Sequence, residues 1–364
     1  MSTTYFIKDA TLIDIGDAIR SKTGTTAKIP ASQMASTIRS TLDANTHDLI
    51  NGTISYINDD KITTVRPYAF YDCNELHTAI LPNASSIGTY GFYSCEKLAT
   101  LYAPKATSVG GSGLVSCIAL ANVDLGLTGA LSSNCTVGTY LRNNKNLKSV
   151  TIASPLINNE ALAYCTNLSY ASFANATSVG TSAFRDCNNL TSVYLPKAAT
   201  IQTLAFYSCK ALEELYLPEV TNVAGSRAFE QMPSLKVLDL PKCTAMHASG
   251  CFAETPYLSW VRVGFSTTVS NAFANKTGLS YFEASQGITL ATNCLAGCNN
   301  LTKISFPKAT TIGSTAFNGC VKLSSFSFPV CTKVSDAAFS SCTAITQLSK
   351  ANFPTAFLIG PLAF

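Results

Sequence analysis

Hydrophobic positions along this chain alternate between two spacings. In the segment AFRDCNNLTSVYLP, the apolar side chains from Phe184 to Leu190 stand at three-residue steps, and Val193 and Leu195 then alternate with polar residues. Three-residue steps place side chains on one face of a short helical or 3₁₀ turn, whereas alternation places them on one face of a β-strand. The pattern therefore predicts a turn and a strand that face the same core, ended by Pro196.

The same pattern recurs along most of the chain at intervals of 21 to 27 residues. Its aromatic position is occupied by Phe70, Phe92, Leu114, Leu141, Leu162, Phe184, Phe206, Phe229, Phe252, Phe273, Leu295, Phe317 and Phe339. A unit this short cannot bury its inward face alone, so repeats of this length predict a solenoid whose coils pack on one another. We expect about thirteen coils, with their strands in one parallel sheet.

Cysteine has a fixed place in the repeat. Nine of the fourteen cysteines stand three residues after the aromatic position, which is typical of a small buried apolar side chain. The first residues lack the basic segment and apolar core of a secretory signal, so we expect reduced thiols rather than disulfides. Asn144 and Lys276 replace cysteine in two coils, and a polar group buried there needs a partner unless the turn opens to solvent.

One segment, IGSTAFNGCVKLSSFSFP at residues 312–329, carries the repeat consensus IGxxAFxxCxxLxxVxLP nearly whole. This consensus resembles the BspA-like leucine-rich repeats of bacterial surface proteins, and the resemblance covers about residues 65–350. It implies an α/β repeat fold, a leucine-rich-repeat solenoid with the parallel sheet on its concave side. It implies no catalytic chemistry.

The N-terminal region, residues 1–45, does not repeat and has the apolar spacing of two short amphipathic helices. The apolar positions on the two helical faces include Leu12, Ile15, Ile19, Met34 and Ile38. Two helices of this size make little core of their own, so we expect a small helical module that docks on another surface. This module either anchors the chain to a larger particle or caps one end of the solenoid.

Part of that region, about residues 11–38, resembles a leader found on tail and tail-tip proteins of phages and prophages of Gram-positive bacteria. The matching letters include IG, AIR, KTG and IP within IGDAIRSKTGTTAKIP. The resemblance implies attachment to a virion or tail particle. The domain division that we expect is a helical anchor or cap at 1–45, the solenoid at 46–350 and a C-terminal cap at 351–364.

Composition and charge exclude several classes of function. Only 13% of residues are charged, the net charge is +4, and lysines and arginines are scattered, which does not suit nucleic-acid binding. No run of about 18 apolar residues predicts a membrane-spanning helix. The three histidines stand in different coils without acidic or cysteine partners at ligand spacing. We therefore expect neither an enzyme nor a metal site, and no cofactor.

Outward-facing strand positions carry the strongest functional signal. Aromatic and charged residues concentrate on the strands of coils five to ten, and they are Tyr170, Tyr194, Tyr216, Asp239, Trp260, Arg262, Tyr281 and Glu283. Flat amphipathic rings edged by ion-pairing groups suit the recognition of a protein or a glycan. The alternative is that tyrosine is common in strands and that these rings only stabilise the sheet across neighbouring strands.

The function expected from these observations is non-enzymatic recognition. The leader favours a phage or prophage tail component that contacts a bacterial surface protein or glycan, carried in a virion or tail particle and made in the host cytoplasm. Its partners would include other tail proteins, bound through the N-terminal module, and further copies of the chain, because such appendages are usually oligomers. The alternative is a bacterial cell-surface or secreted adhesin that binds a host protein.

Overall fold

The computed structural model of the protein describes residues 54–125, 141–152, 154–247, 251–265, 268–269, 271–347, 349, 352–355 and 358–364. The chain divides into two compact units between Leu168 and Ser169, here called unit 1 and unit 2. The fold is a leucine-rich-repeat β-solenoid, with about 12 turns and parallel strands. The predicted helical module at 1–45, with Leu12, Ile15, Ile19, Met34 and Ile38, lies outside the described residues.

Unit 1 is built from coils that each contribute a strand of three or four residues and, in several coils, a second strand of two residues. Its strands are β1 (Tyr56–Asn58), β2 (Thr78–Ile80), β3 (Ser86–Ile87), β4 (Thr100–Ala103), β5 (Ser108–Val109), β6 (Asn122–Leu125), β7 (Ser149–Thr151) and β8 (Leu156–Ile157). The longer strands β1, β2, β4 and β6 pair in parallel in that order. The short strands β3 and β5 pair in a second parallel sheet.

Unit 2 repeats this arrangement. Its longer strands are β9 (Tyr170–Ser172), β11 (Ser192–Tyr194), β13 (Glu214–Tyr216), β15 (Val237–Leu240), β17 (Trp260–Val263), β19 (Tyr281–Ala284) and β21 (Lys303–Ser305). Its short strands are β10 (Ser178–Val179), β12 (Thr200–Ile201), β14 (Asn222–Val223), β16 (Ala245–Met246), β18 (Thr268–Val269), β20 (Thr289–Leu290), β22 (Thr311–Ile312), β23 (Lys333–Val334) and β24 (Leu358–Ile359). Strands β13, β15, β17, β19 and β21 pair in order, as do β10, β12, β14 and β16.

The second sheet of short strands is a feature that the sequence pattern did not predict. It arises from the segments that lead into the IG of the repeat consensus, such as Thr311–Ile312. The glycine that follows the short strand lets successive coils pack closely: a Cβ atom on Gly110 would lie 2.3 Å from the backbone nitrogen of Thr89. A Cβ atom on Gly313 would lie 2.5 Å from the carbonyl oxygen of Leu290. Several neighbouring coils therefore meet through two parallel ladders, as at β2/β4 with β3/β5 and at β13/β15 with β14/β16.

The predicted helical turns are tight turns instead. Besides strands, the described residues contain one 3₁₀ turn, Asn271–Phe273, and no α-helix. The reason is a left-handed residue on each side of the aromatic position, such as Ser182 (φ 55°) and Asp186 (φ 57°) around Phe184, which a helix cannot accommodate. The described part of the chain is thus an all-β solenoid, and the predicted α/β class is wrong for it.

The core of each unit is a column of stacked side chains at the aromatic position. In unit 2, Phe184 and Phe206 stack at 5.1 Å between ring centroids with planes 7° apart, and both side chains are fully buried. Phe252 and Phe273 stack at 4.8 Å in the same way. The thirteen residues predicted for this position are all buried, so the core assignment is confirmed.

The cysteine position proves to be a hydrogen-bond position and not merely a small apolar one. Cys209 Sγ donates to the carbonyl oxygen of Phe184, the aromatic residue of the preceding coil, at 3.2 Å. Cys95, Cys117, Cys165, Cys298, Cys320 and Cys342 donate to the equivalent carbonyl of their own preceding coils. The thirteen cysteines of the described residues are free thiols.

Two of the polar replacements at this position, Asn144 and Lys276, keep the donor to the preceding coil. Asn144 is fully buried, and its Nδ2 donates to the carbonyl oxygens of Leu114 and Leu141. Lys276 Nζ donates to the carbonyl oxygen of Phe252, and burial lowers the pKa of its ammonium group. Both side chains therefore have the hydrogen-bond partner that a buried polar group needs. Among the buried side-chain nitrogen and oxygen atoms of the described residues, only Asn144 Oδ1 has no hydrogen-bond partner.

Candidate functional site

All eight residues of the predicted binding surface lie in unit 2, on its longer strands. We call the outward side chains of β9, β11, β13, β15, β17, β19 and β21 the strand face. Two expectations about these strands need correction. Val193, predicted to point into the core, is only half-buried in β11. Ser172, at the position that alternation places outward together with its register partner Tyr194, is only 6% exposed.

Trp260 and Tyr281 form the centre of the strand face. They are register partners on β17 and β19, and their rings stack at 5.3 Å between centroids with planes 9° apart. Parallel strands bring side chains of equal register side by side, so rings at the same position of successive coils stack face to face. Each ring therefore covers one face of the other.

Arg262 joins this aromatic pair to an ion pair. Its Nε and Nη2 atoms donate to the two carboxylate oxygens of Asp239 on β15, at 2.8 Å and 2.6 Å. Its guanidinium carbon lies 5.7 Å from the Trp260 ring centroid. The hydrogen bonds with Asp239 raise the pKa of Arg262, so its charge is permanent. A two-point ion pair fixes the direction of the guanidinium plane as well as its position.

Tyr281 is held on its other side. Its hydroxyl donates to the Glu283 Oε2 atom at 2.7 Å, and the Lys303 ammonium of β21 lies 5.7 Å from its ring centroid. Burial, followed by the hydrogen bond to Glu283, raises the pKa of Tyr281 to about 12. The two stacked rings thus have a cation over each of them, Arg262 over Trp260 and Lys303 over Tyr281. The carboxylates of Asp239 and Glu283 lie beside them.

The remaining predicted residues are the exposed tyrosines Tyr170, Tyr194 and Tyr216, which are 40%, 53% and 52% exposed. The Tyr216 hydroxyl donates to the Glu214 Oε2 atom at 2.9 Å, and this hydrogen bond raises its pKa. The structure therefore separates the predicted surface into two parts. Asp239, Trp260, Arg262, Tyr281 and Glu283 form one interlocked cluster, and the three tyrosines stand open on β9, β11 and β13.

Two residues of the cluster's surroundings were missed by the sequence reasoning. Glu214 and Lys303 occupy the same outward position as Trp260 on their own strands. Their shared position with Trp260 could have indicated them from the sequence. However, glutamate and lysine are both common on solvated strands. Only the contacts of Glu214 with Tyr216 and of Lys303 with Tyr281 identify them as part of the surface.

Other chemistries find little support in the described parts of the chain. No group of three or more His, Cys, Asp or Glu side chains there has an arrangement that could hold a metal ion. Burial raises the pKa of the Cys165 and Cys298 thiols to about 12, which removes their nucleophilic character at neutral pH. No helix within the same residues is long and apolar enough to cross a membrane.

The repeat also decides the family. The family described as BspA type leucine rich repeat region (6 copies) matches residues 37–169, 156–280 and 266–357. The chain belongs to this family. The N-terminal resemblance to phage tail proteins has no counterpart in this match, and a search of curated proteins found no match to the sequence.

Solved structures extend the comparison to the fold. A leucine-rich repeat protein from Bacteroides ovatus is 21% identical, with a TM-score of 0.51, over 84% of this chain and 82% of its own. A leucine rich cell surface protein from Faecalibacterium prausnitzii is 19% identical over 85% and 83%, with a TM-score of 0.35. An internalin from Listeria monocytogenes is 14% identical over 80% and 87%, also with a TM-score of 0.35. The first likeness supports the leucine-rich-repeat fold.

Proposed function

We propose that this chain is a bacterial surface adhesin that binds a partner protein through the strand face of unit 2. BspA-type leucine-rich-repeat proteins are typically bacterial cell-surface proteins, and leucine-rich-repeat proteins typically bind other proteins rather than catalyse reactions. The observation that carries the proposal is the Trp260–Tyr281 stack, held in place by Arg262 and Lys303. Aromatic residues and arginine held rigid before binding are typical of interface hot spots.

The same stack favours a protein partner over a glycan at this position. Sugar rings bind aromatic side chains through an open ring face. In the cluster, stacking covers one face of Trp260 and of Tyr281, and a cation lies over each ring as well, Arg262 over Trp260 and Lys303 over Tyr281. The rings therefore present mainly their edges, together with the charged groups of Arg262 and Glu283. Edges flanked by both signs of charge suit a protein surface of complementary charge.

The test uses substitutions that the chain itself contains at equivalent positions. Serine occupies the outward strand position at Ser192 and Ser305, so Trp260→Ser, Tyr194→Ser and Tyr216→Ser should leave the fold intact. The labelled full chain and this triple variant are applied to eukaryotic epithelial cells, before and after protease treatment of the cells. We expect wild-type binding that protease abolishes, and at least a tenfold loss of affinity in the triple variant.

The control is the thermal unfolding midpoint, which should agree between the two proteins within a few degrees. Binding that survives protease treatment would replace the protein partner by a glycan or lipid. Equal binding by the triple variant and the wild type would remove the strand face from recognition altogether.

A second function, a phage or prophage tail component, is favoured by the leader pattern at about residues 11–38. It predicts binding to whole Gram-positive bacterial cells instead of epithelial cells. It also predicts that a chain lacking residues 1–45 still binds cells but no longer enters tail particles. Applying the labelled protein to both kinds of cell distinguishes the two functions in one experiment.

A further inference from the structure

We propose that four tyrosines on the turns of unit 1 form a second binding surface, which takes an uncharged glycan. The tyrosine patch consists of Tyr68, Tyr71, Tyr90 and Tyr93. It belongs to the turns that carry Phe70 and Phe92 in unit 1. The inference does not depend on the strand face.

The four rings form one continuous cluster. Tyr68 stacks on Tyr90 at 5.1 Å, and Tyr71 stacks on Tyr93 at 5.2 Å with planes 10° apart. The two columns touch each other edge to face, with Tyr90 and Tyr93 at 5.3 Å and planes 73° apart. Tyr68 is 41% exposed and the other three rings are half-buried. Rings that hold one another in this way are rigid before a ligand arrives.

The fold does not require tyrosine at these positions. Tyr68 and Tyr90 adopt left-handed backbone conformations with φ of 59° and 56°, which are unfavourable for a bulky residue. The same position in other coils holds residues as different as Ser112, Asn293, Ala337, Leu204 and Arg227, all with φ between 52° and 58°. The core of both coils is filled separately, by Phe70 and Phe92 stacked at 4.9 Å. Because neither the turn nor the core requires tyrosine, the grouping of four tyrosines here indicates a role at the surface.

Polar groups at the edge of the patch are oriented in advance. Asn74 Nδ2 donates to Asp72 Oδ1 at 2.9 Å, and Asn74 Oδ1 accepts from the Glu96 backbone nitrogen at 3.3 Å. Asp72 directly follows Tyr71. Apolar ring surface combined with a few oriented carboxylate and amide groups is what the C–H faces and hydroxyls of a sugar require. The Asp72 carboxylate would repel acidic sugars, which favours an uncharged glycan.

Size also favours a glycan over a protein. Four touching rings form a surface far smaller than the roughly 800 Å² per partner that a stable protein interface buries. One or two sugar rings match such a surface.

The test again uses residues that the repeat already tolerates. Tyr68→Asn and Tyr90→Asn install the residue found at Asn293, and asparagine accepts the left-handed conformation more readily than tyrosine. The full chain and this double variant are passed over immobilised dextran, mannan, galactan and β-1,3-glucan, with polygalacturonate as the acidic polymer. We expect the wild type to bind at least one neutral polymer, with affinity falling tenfold or more in the double variant and an unfolding midpoint equal or higher.

A single Trp260→Ser variant is the matched control and should bind the polymer as the wild type does, whatever the strand face binds. Absence of binding to all four neutral polymers, binding to polygalacturonate alone, or equal binding by the double variant would each overturn the proposal. Because the strand-face test measures binding to cells and uses different variants, failure of one proposal leaves the other in place.

Discussion

Arg262 on β17 donates two parallel hydrogen bonds, of 2.8 Å and 2.6 Å, to the carboxylate of Asp239 on β15. The Asp239 side chain is 12% exposed, while that of Arg262 is 40% exposed. The less exposed Asp239 carboxylate thus holds the Arg262 guanidinium in place over the Trp260 ring. This ion pair sets the position of the aromatic cluster more than it stabilises the fold, because partly exposed pairs contribute little free energy of unfolding.

Removing the carboxylate should therefore loosen the cluster. In Asp239→Ala we expect the free energy of unfolding to fall by only about 1 kcal/mol. The tryptophan, the only one in the chain, should become more accessible to acrylamide quenching, since Arg262 no longer holds its place. Glu219→Ala is the control, because Glu219 pairs with Lys242 away from the rings. Unchanged quenching in Asp239→Ala would show that the stack holds without the ion pair.

The hydroxyl of Tyr281 should titrate at a higher pH than that of a free tyrosine. Its folded pKa of about 12 lies above its ordinary value of 10.0, so folding favours the neutral hydroxyl. The resulting stability is fully present below about pH 10 and is lost as the pH rises through about 12. The difference in ultraviolet tyrosinate absorbance between wild type and Tyr281→Phe gives its titration curve. A midpoint near 10 would contradict the burial and the hydrogen bond to Glu283.

The aromatic column should carry much of the stability of unit 2. Phe184 is fully buried and stacked on Phe206, so Phe184→Ala should cost about 3 to 5 kcal/mol of the free energy of unfolding. Phe184→Leu should cost much less, because leucine fills this position at Leu162 and Leu295. Denaturant unfolding of the two variants measures both values. Equal losses would mean that the position does not discriminate by volume.

The hydrogen bonds that the cysteine thiols donate predict that alanine and serine at the same position reduce stability by different amounts. Cys209→Ala removes the thiol donor, while the Phe184 carbonyl keeps its hydrogen bond from the Cys187 backbone nitrogen, so the substitution should cost about 1 kcal/mol. Cys209→Ser keeps a donor of similar size and should cost less. Chemical denaturation of the two variants, measured under reducing conditions, compares them directly. If serine proves as costly as alanine, the thiol acts only by filling space.

Much of the fold follows from the sequence because every coil repeats the same identities at the same spacing. The aromatic position, the leucine six residues later and the strand that follows them each recur often enough to identify the core residue by residue. The all-β class of the described residues was predicted less well, because the turns between strands look helical in sequence. The three-residue steps of the turns match a helix in spacing, but left-handed residues such as Ser182 and Asp186 interrupt it, and side-chain identity at those positions is too varied to signal the change.

The binding surface was predicted as a set of residues but not as an arrangement. Alternation along a strand places Tyr194, Trp260 and Arg262 on one side of the sheet, yet it cannot distinguish an exposed ring from one that is stacked. The tyrosine patch was not predicted at all, because the turn positions of its rings look like ordinary variable positions of the repeat.

The sequence by itself determined the length of each coil, its buried residues and its longer strand, since these depend on spacings within about ten residues. Only the tertiary structure decided the second sheet, the thiol hydrogen bonds and the grouping of Asp239, Arg262, Trp260 and Tyr281. Each of these depends on partners about one coil away in sequence, such as Thr200 and Asn222 in β12 and β14. Local spacing carries no information about which atoms meet across that distance until the coils are stacked.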